Sequence, residues 1–229
     1  MPASVTGLTG PRPGSNRNRD NPLPDPLGRR LVARAAHGRS RPMSDPVTAA
    51  LAAIDAAHRQ DPEGRELGYA EAITGWVARL VPDASPALRL AARCQHLERW
   101  TLPRTAYPMD KVGYHAWRRE QYRRQGARAK DLCLGAGVDA AIAERVERLV
   151  AKQLAKDPEG AALEDAACLV FLEREAPLFV AAHPDYTADK YVDILRKTAR
   201  KMSPAGQAAA LALPLGEPLA GLLITAVRA

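Results

Sequence analysis

The chain is poor in cysteine. Its 229 residues hold three, Cys94, Cys133 and Cys168, odd in number, widely spaced and set among apolar residues at helical spacing. With no CxxC pair among them, nothing suggests a zinc site, and all three are expected as reduced core residues of a cytoplasmic protein. Long apolar runs are also missing. None approaches the roughly 20 residues that span a bilayer, so no membrane partner is expected. Strand-forming residues are scarce: valine, isoleucine and threonine are sparse and never alternate with polar positions, so the pattern of a half-buried strand is absent.

The charge is unevenly placed. Net charge is +7, which taken whole would suggest a nucleic-acid or membrane partner. Residues 1–42, however, hold eight arginines, no lysine and two aspartates, so six of the seven net charges lie there and the remainder of the chain carries one. A basic-protein argument has no support from the folded part. The same 42 residues contain seven of the nineteen prolines and five of the sixteen glycines. Such a segment buries too little apolar surface to offset its chain entropy and is expected to be disordered. It lacks the apolar stretch of a secretory signal, and its Pro and Gly oppose the amphipathic helix of a transit peptide. Met43-Ser44-Asp45-Pro46 reads as a good helix start, so the biological chain is expected to begin at Met43, with a functional basic arm as the alternative.

From Met43 onward helix follows helix. Ser44-Asp45-Pro46 opens the first, which runs to about Gln60 where Asp61-Pro62 stops it. A second is expected over residues 67–81, with Ile73, Trp76, Val77 and Leu80 on one face. Ser85-Pro86 opens a third over 87–99, with Leu88, Ala91, Ala92 and Gln95 in register. A long polar helix over 111–134 closes on Gly135-Ala136-Gly137. Asp139 caps a fifth with an apolar stripe of Ile142, Val146, Leu149, Val150 and Leu154. A sixth covers 161–182, Thr187 and Ser203-Pro204 open two more, and Glu217 begins a short last one. The fold class is all-α: a single bundle of about nine helices over 43–229 behind a disordered tail, 1–42.

The sixth helix carries the first candidate site. Ala166 to Leu172 are seven apolar residues in a row, hydrophobic all round, which places this helix at the bundle centre. Glu164 and Asp165 lead directly into it, and at least one of them must face protein. A carboxylate there is costly unless paired, hydrogen-bonded or bound to metal. Either both complement the dipole of the first helical turn, or Asp165 is a metal ligand or general base. His96 is its natural partner. On a helix reaching Arg99 it would share a face with Arg93 and Trp100 and sit at the bundle edge, as a packing residue or as a ligand.

Arg99, Arg104 and Lys111 follow, interleaved with Tyr107, Tyr114 and Trp117. The arginine fork suits phosphate or carboxylate and the rings suit a stacked base; arginines lying over aromatics at a helix end are the alternative. Arg118, Arg119, Arg123, Arg124, Arg128 and Lys130 make one helix basic, fit for a nucleic-acid backbone or simply a solvated face. Lys201-Met202-Ser203 resembles the start of the KMSKS loop of class I aminoacyl-tRNA synthetases, but continues Pro204-Ala205. With no HIGH-like element and no strand pattern for a nucleotide-binding sheet, synthetase activity is not expected. Ser203-Pro204 is explained as an N-cap with proline at the first helical position.

The stretches QHLERWTLPR, YPMDKVGYHAWR, LEDAACLVFLE and ILRKTARKMS together resemble the domain-of-unknown-function family 4202 over nearly all of Met43 to the C-terminus. Some members of that family carry a glutamyl-tRNA synthetase-like name. A weaker, fold-level resemblance is to the HD-domain phosphohydrolases, all-α proteins in which a His-Asp pair ends one helix and an aspartate heads a later buried helix, together holding a divalent metal that activates water. AARCQHLERW and LEDAACLVFLE have that order, with His96 and Asp165 in matching places. Leu97 stands where the paired aspartate would be, Tyr69 and Glu71 occupy the region of the missing upstream histidine, and Lys152 and Gln153 fill a later histidine region. The HD resemblance implies a divalent metal held by His96 and Asp165, with Glu98 or Glu164 standing in for the missing ligands. The expected function is therefore hydrolysis of a phosphorylated or nucleotide-like small molecule, with His96, Asp165 and Glu164 catalytic and Arg93, Arg99, Trp100, Arg104 and Tyr107 binding the substrate. The alternatives are a non-catalytic protein that binds a nucleotide, anion or tRNA, and a purely structural or partner-binding helical domain.

Overall fold

The computed structural model describes residues 45–154 and 156–228; the tail over 1–42 and the start at Met43 lie outside them. The described residues form ten α-helices and no strand: α1 (Pro46–His58), α2 (Glu66–Leu80), α3 (Pro86–Arg93), α4 (Lys111–Gly135), α5 (Ala140–Val150), α6 (Pro158–Val170), α7 (Ala176–Ala182), α8 (Ala188–Ala199), α9 (Pro204–Leu211) and α10 (Leu219–Arg228). No helix among them is long and apolar enough to cross a membrane.

Short polar side chains set most of the helix starts, as their positions in the sequence predict. Asp45, Ser85, Asp110, Asp139, Thr187 and Ser203 each accept a hydrogen bond from a backbone N–H of the first turn, satisfying one of the donors a helix leaves open there. Asp157 does the same for α6 with Pro158 behind it, so this helix starts three residues before the predicted one.

Two further boundaries depart from the sequence reading, and both shape the site. The third helix stops at Arg93, not Arg99. Beyond it the chain turns with His96 at φ 62° and Glu98 at φ 50°, and between them Leu97 is 1% exposed. The two left-handed residues drive Leu97 into the core, so Arg93, His96 and Trp100 do not share a helical face. The predicted sixth helix is broken into α6, one turn of π-helix over Phe171–Glu175, and α7. Pro177 accounts for the break. It has no N–H for the carbonyl four residues back and its ring crowds that carbonyl, so the preceding turn widens.

The core runs along α6, which packs on α2, α3, α5 and α9. Leu163, Ala166, Leu169, Val170 and Leu172 are buried against Ile73, Val77, Leu88 and Leu149, as the unbroken apolar run predicts. Ala167 and Phe171, four residues apart, are only partly buried and mark the face of α6 left open. Cys94, Cys133 and Cys168 are free and buried.

Asp165 is 3% exposed, and its cost is met by hydrogen bonding. Its Oδ1 accepts from the Ser203 N–H at 2.8 Å and its Oδ2 from the Ser203 hydroxyl at 2.6 Å. The carboxylate thus sits at the N-terminus of α9, where the helix dipole favours negative charge. Gly206 makes room for it: a Cβ there would lie 2.4 Å from the carboxylate. Removing the carboxylate strands a partly buried N–H and hydroxyl of Ser203. Asp165→Ala should therefore cost roughly 1–3 kcal/mol, and Gly206→Ala a similar amount by expelling the same carboxylate. In a urea-denaturation cycle the double variant should fall well short of the sum of the two, because both remove one interaction.

His58 is 1% exposed and donates from Nε2 to the Arg93 carbonyl at 2.9 Å, leaving Nδ1 buried without a partner among the described residues. Burial pushes its pKa below the ordinary 6.5, against the raising effect of the Arg93 carbonyl and of Glu66 and Asp55. The unfolded chain therefore binds more protons than the folded one below about pH 6.5. Stability should fall as pH drops from 6.5 through the lowered folded value. His58→Gln, which keeps a donor for the Arg93 carbonyl, should flatten that limb in a pH series of thermal melts.

Candidate ligand-binding cleft

The turn after α3 is held from α4. The Gln121 amide donates to the carbonyls of Arg99 and Leu102 at 2.9 and 3.0 Å, Trp117 Nε1 donates to the Leu102 carbonyl at 2.9 Å, and Arg128 pairs with Glu98 at 2.8 Å. With Leu97 inward and its neighbours fixed, His96 is presented outward. Its ring stacks on Tyr69, centroids 3.9 Å apart and planes 4° from parallel. Its Nδ1 lies 3.1 Å from a carboxylate oxygen of Glu66. Burial lowers the His96 pKa, Glu66 opposes, and the Arg99 and Lys152 charges push it further down. The neutral imidazole donates from Nδ1 to the carboxylate, which leaves the Nε2 lone pair with no partner among the described residues.

A second irregularity lies opposite. Beyond α5 the Lys152 N–H donates to the Leu149 carbonyl and the Gln153 N–H to that of Arg148, the paired bonds of a Schellman helix end. Its left-handed position is normally glycine, and α4 ends in that way on Gly137 at φ 82°. At α5 the same position is lysine, at φ 59°. A non-glycine there costs about 1–2 kcal/mol, and strain of this kind concentrates at functional sites. The ammonium meets Glu164 at 3.0 Å.

The third irregularity is the π turn, whose Phe171 and Glu175 face the same space. All three surround one cleft of adjoining chambers. A chamber of about 390 Å³ has apolar walls from Leu149, Leu154, Ala161 and Tyr122, with Lys152, Glu164 and Lys201 at its polar side. A more polar one, about 190 Å³, is lined by Tyr69, Gln95, His96, Arg99, Arg118, Lys152, Glu164, Phe171 and Glu175 among others. Tyr122, Lys152 and Glu164 belong to both. Arg118 donates to the hydroxyls of Tyr114 and Tyr122, and Arg99 lies over the Trp117 ring at 4.7 Å.

A family model described as Domain of unknown function (DUF4202) matches residues 48–223. The chain belongs to this family. No curated protein and no solved structure matches it.

Of the eight residues expected from sequence as catalytic or substrate-binding, His96, Glu164 and Arg99 line the cleft of this DUF4202 protein and the other five do not; Tyr114, Arg118 and Lys201, from the other motifs noted in the sequence, line it too. Asp165 turns to Ser203, as described above. Arg93 forms a two-pronged bridge to Asp55 at 2.5 and 2.9 Å and reaches Glu71 at 3.3 Å, bracing α1, α2 and α3. Arg104 donates to the carbonyls of Tyr107, Pro108 and Asp110 and staples the loop before α4. Trp100 and Tyr107 are half-buried in that loop region and are not among the lining residues. An HD-type metal would need His96 and Asp165 in one donor set. Both Asp165 oxygens are committed to Ser203 and His96 Nδ1 to Glu66. With those donor atoms engaged, His96 and Asp165 do not fit that metal site.

Glu66, Tyr69, Tyr122, Lys152, Phe171 and Glu175 are functional candidates that the pattern of the sequence left unassigned. Two carried a readable signal: a helix end without its glycine at Lys152, and a proline inside an apolar helix at Pro177. Lys152→Gly should relieve the left-handed strain and raise stability by about 1 kcal/mol while weakening anion binding. Denaturant melts and anion titrations of the same variant would show the two effects moving in opposite directions.

Proposed function

We propose that this protein binds a phosphorylated, nucleotide-like small molecule in the cleft, its ring between Leu149, Leu154 and Tyr122 and its phosphate among Arg99, Arg118 and Lys152. The observation that carries the reading is the adjacency of an apolar chamber with a polar one that gathers cations from separate elements. Such pairing of an apolar pocket with a few convergent polar groups is what small-ligand sites require, and guanidinium groups suit phosphate oxygens.

The charge count favours a small anion over a nucleic acid. Arg99, Arg118, Lys152 and Lys201 are set against Glu164, Glu175 and the Glu66 beside His96, a net single positive charge. Along α4, Arg123 and Arg124 share Glu120, Arg128 pairs with Glu98 and Lys130 with Glu147, so three carboxylates offset half of the six charges of the basic run. The buried free cysteines accord with a reducing, cytoplasmic setting. The hydrolytic reading of the HD resemblance rests on His96 alone.

Thermal-shift titrations with nucleoside 5′-monophosphates, the parent nucleosides and inorganic phosphate test this. Monophosphates should raise Tm most and nucleosides least, with the effect shrinking as salt rises. Arg118→Ala should weaken monophosphate binding about 10- to 100-fold, the loss of one charge-assisted contact. Equal shifts from nucleosides and nucleotides would remove the phosphate half of the reading.

A further inference from the structure

We infer that Glu66 and His96 form a carboxylate–imidazole couple that activates a water for attack on the phosphorus of a phosphate ester bound in the cleft. The inference rests on the ligand reading above and deepens it. Glu66, from the first turn of α2, holds Nδ1 at 3.1 Å; Tyr69, one turn further along α2, holds the ring face at 3.9 Å. Two residues of one helix thus fix both the plane and the rotation of the imidazole, while Gln121 and Arg128 fix the backbone that carries it. That is much restraint for a partly exposed side chain, and it leaves Nε2 as the ring nitrogen without a partner among the described residues. Nε2 belongs to a residue in the wall shared with Arg99, Arg118 and Lys152, where a phosphate would lie. A base oriented by a third group beside a site of anion stabilisation is the arrangement acyl and phosphoryl hydrolysis use.

The step balances without a further reactant. Nε2 takes a proton from water as the water oxygen bonds to phosphorus; the ester P–O bond breaks; the proton passes from the imidazolium to the departing alcohol oxygen. Inorganic phosphate and an alcohol leave, and the couple returns to its starting state. The groups around His96 are Glu66 and Tyr69 from α2, Arg99 from its own turn, Arg118 from α4, Lys152 after α5 and Glu175 from the π turn. Burial, with smaller help from Arg99 and Lys152, favours the uncharged imidazole, and the two cations are placed to oppose charge building on the phosphoryl oxygens. Glu66 is a positioning residue, since it reaches the substrate only through His96.

Phosphate release from nucleoside 5′-monophosphates, measured on the full chain with binding followed in parallel by thermal shift, tests the couple. His96→Gly is the informative variant, because glycine accepts the φ of 62° and vacates the ring's space. It should retain ligand-induced stabilisation, lose kcat by at least about 100-fold, and recover part of it when imidazole is added. Glu66→Gln should lower kcat with KM within about threefold and show no imidazole rescue, the split expected when orientation and not binding is lost. If the wild-type protein binds monophosphates without releasing phosphate, or His96→Gly turns over at the wild-type rate, the couple is refuted and the binding reading stands. If no monophosphate binds, both fall.

Discussion

Burying Leu97 is the constraint on which the cleft depends. A helix continuing past Arg93 would carry His96 along a regular face. The chain instead takes left-handed conformations on either side of Leu97, drops that side chain into the core and turns His96 out. Two such residues cost a few kcal/mol between them, and they persist because the surroundings over-determine them. Leu97 is packed, Gln121 ties down the carbonyls that follow, and Arg128 pairs with Glu98. The long α4 is thus the splint for the site: its inward polar residues hold the turn, and its aromatics and Arg118 form a wall.

What could be read from the sequence was local. Caps sit within three residues of the groups they satisfy, so Ser85, Asp139, Thr187 and Ser203 announced their helices, and Ala166 to Leu172 announced the central one. That one of Glu164 and Asp165 must face protein also followed from helical geometry, and the division proved clean: Asp165 inward, Glu164 into the cleft. What remained hidden was the identity of partners. Ser203 lies 38 residues from Asp165, and no spacing rule connects them. Arg93 looked like an anion clamp because its partner Asp55 is equally remote. A free arginine and a paired one are the same letter, and only the fold tells them apart.

His96 lines the cleft as a neighbour of other residues than the sequence suggests. The sequence put it at the end of a helix with Arg93 and Trp100 beside it. In the fold its neighbours are Glu66 and Tyr69, in the region the HD comparison marks as lacking a histidine. The imidazole is oriented by a carboxylate and stacked on a ring. The donor set that the HD resemblance implies is therefore engaged in hydrogen bonds within the protein.

The charge arrangement then limits what the cleft can do. Lys152 and Glu164 meet at 3.0 Å, and the Glu164 carboxyl is held below its ordinary range although burial acts to raise it, because the Lys152 and Lys201 charges outweigh that burial. The two side chains are 23% and 33% exposed, so the proposed anion would reach Lys152 in competition with Glu164. The strain at Lys152 is harder to explain by stability alone, since glycine would close α5 as Gly137 closes α4. An ammonium at that left-handed corner has a reason only if it serves the space in front of it. That space already holds the His96 imidazole and two guanidinium groups, the grouping on which the proposed small phosphate ligand rests.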